Sequence, residues 1–415
     1  MSFFARTFEK KFEMMRRYDL DWLRVIVFGL LIFYHVGMFF VAPDWEWHIK
    51  NNITYEGIKY PMLFLNQWRL PILFVISGMG TSYALSRGGG GQFAWERTKK
   101  LLLPLICGML VIVPPQVYIE KLSSGLITGS YFDFWPSQAF IGKYPDGNLS
   151  WHHLWFIPYL LIFSLVLIPA FLYLRNYPNN FLLKATAKMC NSKFGLYWFI
   201  LPLYLFEAFL EPFFEETHAL VGDWFVLINS ITLFFIGFLL ISVKDVFWTS
   251  VELNRKTFLI CGITGFSLLM FIITAYEDSY VRHFIEAGIK VFSFWSWILT
   301  FFGYSSKYLN KPSNTLAYCN EAVYPFYILH QTITVILGYF MMQLQWLFVF
   351  KLSFMTVGTF LISWFIYEFF IRRWILIRPF FGLQNPTINK QVLQAQENIK
   401  YESQTIMKST ADAKP

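Results

Sequence analysis

The chain has 415 residues, of which 56% are hydrophobic, 21% aromatic and 14% charged, with a mean hydropathy of +0.45. That balance excludes an ordinary soluble domain and a disordered chain, and it points to a protein that crosses a membrane many times. The net charge of +8 calls for no nucleic-acid partner, because membrane topology and attraction to anionic lipid account for it.

Residues 1–18 read as a basic, partly amphipathic lead on the inner membrane surface. Ten apolar stretches follow, at 21–41, 60–86, 98–119, 151–174, 194–212, 222–243, 257–275, 283–304, 317–340 and 346–371. Each has about the 20 residues that a helical crossing needs. They predict an all-α, polytopic transmembrane helix bundle with both termini cytoplasmic. On that frame the inner segments hold 25 of the 34 Lys and Arg and the outer loops hold 5, the asymmetry that orients membrane proteins.

The first span is too long for a cleavable signal and lacks a small-residue cleavage pattern, so it is expected to stay as an anchor. The loop "SRGGGGQFAWERTKK" (86–100) reads as a hinge, with no phosphate-cradle motif. The outer loop at about 120–150 is rich in Pro, Gly, Ser and aromatics, which suit a membrane interface or a sugar ring. Residues 384–415 read as a polar, disordered cytoplasmic tail. Cys107, Cys190, Cys261 and Cys319 are far apart and form no CxxC or Cys/His spacing, so neither a disulfide framework nor a metal site is expected. No internal repeat is visible, which weakens an inverted-repeat transporter.

An ionisable side chain within a span costs on the order of 2.5–3.5 kcal/mol and so marks a candidate site. In the first span, eleven steps at about 100° and 1.5 Å per residue bring Arg24 and His35 to one helix face, roughly 16 Å apart along the axis. Arg24 also suits snorkelling or pairing with Asp21, and His35 suits a bond to a backbone carbonyl. Arg69 lies about 13 Å below the outer end of the second span, too deep to snorkel and at the level of His35. Its structural alternative is a pair with a buried Glu. Pro71 and the small residues of "SGMG" (77–80) favour close helix packing nearby.

His152 and His153 open the fourth span at the outer face. Glu207 and Glu211 share a face of the fifth by their i, i+4 spacing and precede Glu215 and Glu216. Asn320, Glu321 and His330 occupy the ninth span. Glu368 in the tenth has a ready salt-bridge partner in Arg372.

These motifs resemble the acyltransferase 3 family of integral membrane acyltransferases. The matching pieces are "LDWLRVIVFGLLIFYH" with its Arg-x10-His pair Arg24 and His35, "WRLPILFVISG" with Arg69, "ERTKKLLLP", "HHLWFI", "NEAVYPFYILHQ" and "YEFFIRR". Within the family, "LRVIVFGLLIFYH", "FVISG" and "HLWF" are similar to the branch of glucans biosynthesis protein C, which succinylates periplasmic glucans. The resemblance makes residues 19–383 an acyltransferase 3-type transmembrane domain of a bacterial inner membrane. It implies O-acyl transfer from cytoplasmic acyl-CoA, acetyl or succinyl, to a hydroxyl of an extracytoplasmic carbohydrate, with no metal.

In that scheme His35 is the base, Arg69 stabilises an oxyanion or holds a succinyl carboxylate, and His330 supports them as the rival histidine. Arg24, Arg97, Lys99 and Lys100 attract the CoA phosphates, and His153 and Glu207 meet the acceptor. A transporter of a small organic anion or a proton-coupled solute is the alternative reading, since buried Arg, His and Glu also build ion pathways.

Overall fold

The computed structural model describes residues 16–384 apart from 43, 44, 46, 87 and 215. The basic lead up to residue 15 and the polar tail from residue 385 lie outside the described residues.

Among the described residues there are fourteen α-helices. They are α1 (Tyr18–Met38), α2 (Lys59–Leu85), α3 (Gly90–Cys107), α4 (Pro114–Ser123), α5 (Tyr131–Ser137), α6 (Phe156–Val166), α7 (Ile168–Asn176), α8 (Phe181–Cys190), α9 (Ile200–Phe209), α10 (Trp224–Ser242), α11 (Lys244–Ala275), α12 (Tyr280–Leu309), α13 (Asn314–Met341) and α14 (Phe348–Ile366). Among the described residues, eight helical segments are long and apolar enough to cross a membrane. A ninth is the segment His152–Val166 plus Ile168–Asn176, bent by 50° at Leu167.

The remaining predicted span, the ninth in chain order (317–340), is α13, which has the length but not the apolar composition. Its packing explains why: every residue from Tyr327 to Val335 is buried, against α1, α4 and α14. A helix surrounded by protein has no need of a lipid-compatible surface and can carry His330, Gln331, Thr332 and Thr334.

Other departures from the predicted spans are extensions. The stretch 244–256, predicted as a loop, is the first part of the 32-residue α11. α3 runs on through a π-turn, Gly108–Ile112, before Pro114 starts α4. Such a turn frees carbonyls from the helical ladder. Here that of Ile112 accepts from the Thr332 hydroxyl at 2.6 Å and that of Leu110 from Trp135 Nε1 at 3.0 Å.

α1 lies centrally, against α2, α12, α13 and α14. α2 and α10 approach through a reciprocal glycine contact. A Cβ on Gly78 would overlap the carbonyl oxygen of Phe234, and one on Gly237 would overlap that of Val75. Gly80, the other glycine of "SGMG", has nothing within 4 Å.

At one end of the bundle polar pairs tie the helix ends together. Arg17 bonds Asp19 at 2.7 Å and covers the Trp248 ring at 3.6 Å. Arg372 bonds Glu368 at 3.0 Å, the expected i, i+4 pair. Arg378 reaches Glu321 at 3.0 Å. Arg24 and Arg97 also lie at this end, as described next.

Candidate active site

A cavity of about 780 Å³ opens among α1, α2, α9, α10, α12, the loop residues Trp45, Trp47 and His48, and the 144–155 and 216–218 loops. Of the seven histidines in the chain, five line it: His35, His48, His152, His153 and His218. Trp45, Trp47, Trp151 and Trp155 give it an aromatic wall, suited to the apolar face of a ring-shaped ligand.

His35, in the last full turn of α1, faces this space and not lipid. Its ring centroid lies 5.2 Å from that of His330 and 6.5 Å from that of Trp47. His330 is fully buried behind it. The Nδ1–H of His330 donates to the Tyr327 carbonyl at 2.8 Å, which leaves Nε2 as the nitrogen with a lone pair. That Nε2 and His35 Nδ1 are both buried without a partner among the described residues. The two vacant nitrogens thus belong to adjacent rings.

Arg69 is 3% exposed. Its guanidinium covers the Tyr34 ring at 3.4 Å and donates one bond to Asn66 Oδ1 at 3.3 Å. Its Nε and Nη1 have no partner among the described residues. No Glu pairs with it among the described residues, and the buried Glu207 on the same cavity wall pairs with Lys290. A buried cation left with unused donors is costly unless an anion completes it. This corner is therefore built to receive negative charge.

Across the cavity, His153 has both ring nitrogens engaged. Nε2–H donates to the Ile328 carbonyl at 3.0 Å, and Nδ1 accepts from Gln116 at 3.3 Å. Gln116 also donates to Thr332 at 2.6 Å, while Tyr327 donates to the His153 carbonyl at 2.6 Å. His153 thus braces the wall and fixes α13. Glu216 lines the cavity mouth. His218 stacks 4.0 Å from Trp155, and burial, with the charge of Arg69, lowers it to about 4. Glu211 sits in the turn after α9, and Glu215 lies outside the described residues.

The four cations that the family resemblance offers for phosphate do not sit together. Arg24 is 3.6 Å from Asp21 and 3.5 Å from Asn320, with its side chain 33% exposed. Arg97, within electrostatic range of it, donates to Thr81 at 3.0 Å. Lys99 and Lys100 are on the exposed side of α3, with Lys99 over the Trp95 ring at 4.3 Å. The cavity wall reaches Leu31 on α1 but does not include Arg24. Between them, on the same helix face, Phe28 meets Tyr327 edge-on at 5.2 Å.

Sequence reasoning did not single out His48, Glu120, Tyr144, Gln331 or His218. They come from loops or from helices distant in the chain, and no spacing rule connects them.

The acyltransferase 3 family model, described as an acyltransferase domain, matches residues 17–368. Among characterised proteins the chain is similar to glucans biosynthesis protein C of Escherichia coli K12 and SMS-3-5 and of Shigella dysenteriae serotype 1. Each is 24% identical over 185 residues, 44% of this chain and 44% of the relative. The match thus spans less than half the length of these relatives. No solved structure matches the chain significantly. A match over residues 17–368, covering both Arg24–His35 and the cavity-forming helices, establishes that this multi-pass membrane protein belongs to the acyltransferase 3 family.

Proposed function

We propose that the protein transfers an acyl group, acetyl or succinyl, from cytoplasmic acyl-CoA to a hydroxyl of an extracytoplasmic carbohydrate, in a bacterial inner membrane. The observation that carries the reading is the convergence of His35 and the partly unpartnered Arg69 on one aromatic-walled cavity, with Arg24 and Arg97 at the opposite end of the bundle.

In this mechanism the His35 Nδ1–H turns toward His330 Nε2, satisfying both vacant nitrogens and leaving His35 Nε2 as the base. Nε2 takes the acceptor's hydroxyl proton as the oxygen attacks the thioester carbonyl. The tetrahedral oxyanion develops against Arg69. Its collapse breaks the carbon–sulfur bond, and the proton held by His35 passes to the departing CoA thiolate. Products are the O-acyl sugar and free CoA.

Glu207 and Lys290 supply an acceptor and a donor for sugar hydroxyls, and His153 holds the wall opposite. Arg24 and Arg97 draw the CoA phosphates, with Lys99 and Lys100 adding long-range attraction. The pantetheine arm then passes the Phe28–Tyr327 contact, which has to open for it.

The test is two-sided. Mass spectrometry of envelope glycans from cells with and without the gene is expected to show one lost acyl increment. In proteoliposomes, CoA release is expected to require acyl-CoA on the Arg24 side and acceptor on the His35 side. Solute flux without CoA release would overturn the proposal in favour of a transporter.

A further inference from the structure

The cavity rim carries a group that the acyl-transfer scheme leaves unused. His48 Nδ1 lies 2.6 Å from Glu120 Oε2, and the other Glu120 oxygen accepts from the Tyr144 hydroxyl at 2.7 Å. The His152 ring lies 4.7 Å from that of His48, and its Nε2 is buried with no partner among the described residues. One ligating atom each from His48, Glu120 and His152 falls within 4.8 Å of the others. Ligand atoms in a tetrahedral site with bonds of ~2.1 Å stand roughly 3.4 Å apart, so small side-chain rotations close the set.

Two further features set this group apart. His152 has φ +38°, in the left-handed region, which a non-glycine residue leaves unless its surroundings hold it there. Gln331 presents its amide nitrogen to His48 Nε2 at 2.6 Å while its Oε1 is buried without a partner. Turning that amide over lets Oε1 accept from His48 Nε2–H. His48 Nδ1 is then free either to hold a proton against the Glu120 carboxylate or, in the neutral ring, to offer its lone pair to a cation placed beside that carboxylate.

We propose that His48, Glu120 and His152 bind one divalent transition-metal ion of the zinc class, with Gln331 and Tyr144 as the outer partners that orient His48 and Glu120. Two imidazoles and a carboxylate form a zinc-type donor set with one coordination position left open. His48, His152 and Tyr144 all line the cavity, so that position faces the space where an oxygen ligand such as water or a sugar hydroxyl can enter. The ion also ties the 144–152 loop to α4 and to the loop after α1. The ligands are 72 and 32 residues apart in the chain, which is why no Cys/His-type spacing announces them.

The test uses the full chain purified in detergent with its affinity tag removed, and it involves no acyl donor, so it is independent of the transfer reading. The protein is depleted with a chelator and titrated with Zn2+ and separately with Co2+. Saturation near one ion per chain is expected, with ligand-field bands in the visible for Co2+. Glu120→Gln and His152→Ala are expected to weaken binding at least ~10-fold, the scale for altering a metal shell. Because a variant can misfold, the wild-type melting temperature is also measured and is expected to rise with Zn2+ and not with Mg2+. Absence of both the cobalt bands and the zinc-dependent rise would overturn the proposal and leave an imidazole–carboxylate hydrogen bond. Unchanged affinity in folded Glu120→Gln would overturn it as well.

Discussion

Replacing Arg69 by Met separates a catalytic cation from a structural one. The substitution removes a guanidinium that stacks on Tyr34 at 3.4 Å and makes one long bond to Asn66. The stacking is worth about 2 kcal/mol in a desolvated site, and the bond about 1 kcal/mol. Against this stands the desolvation of a cation that is 3% exposed, a penalty of roughly several kcal/mol. The two sides nearly cancel, and Met fills the space with apolar atoms. Arg69→Met is therefore expected to melt within a few degrees of wild type, or above it. Its transfer rate is expected to fall by about 10²–10³, equivalent to about 2.7–4 kcal/mol, as for loss of one oxyanion donor. Thermal unfolding in detergent and acceptor-dependent CoA release from the same preparation give both numbers. A large drop in melting temperature with a normal rate per folded molecule would refute the reasoning and make Arg69 a structural residue.

Three more outcomes follow from the geometry. Gly78→Ala drives a methyl into the Phe234 carbonyl and is expected to destabilise by roughly 1–3 kcal/mol or more, whereas Gly80→Ala, with open space, is expected to leave the melting temperature unchanged; equal effects would contradict the α2–α10 contact. Glu207→Gln strands Lys290, and because the Lys290 side chain is 35% exposed the loss is discounted to about 1–2 kcal/mol. The double change Glu207→Gln with Lys290→Met is expected to recover most of it, and no recovery would refute the pairing. His218 titrates at about 4 in the folded chain against an ordinary 6.5. Between those values the unfolded chain binds a proton that the folded one refuses, so stability falls as pH drops from about 6.5 to about 4. His218→Asn, which tolerates the φ of +54° at this position, is expected to flatten that acid slope, measured by melting at stepped pH.

Composition and periodicity made the helical bundle legible, and the motif order made the family legible. What could not be read had physical causes. α13 fell short of a membrane-facing composition because protein and not lipid surrounds it, so its polar residues are the interior of the bundle. The first part of α11 reads as a loop because its Lys and Arg continue a helix beyond the apolar stretch. At the site, Arg24 and His35 could be placed on one face from helix geometry alone, and Arg69 at the level of His35 from depth. The partner of Glu207 could not be found, since Lys290 lies 83 residues away. The His48, Glu120 and His152 group was equally hidden, each residue coming from a different segment.

The measurement that bears most directly on the account is acceptor-dependent CoA release by reconstituted His35→Ala protein, beside wild type. The account predicts a protein that inserts and melts normally but loses about 10²–10⁴ in rate, the contribution of a positioned base. A folded His35→Ala protein that transfers acyl groups at the wild-type rate would contradict it.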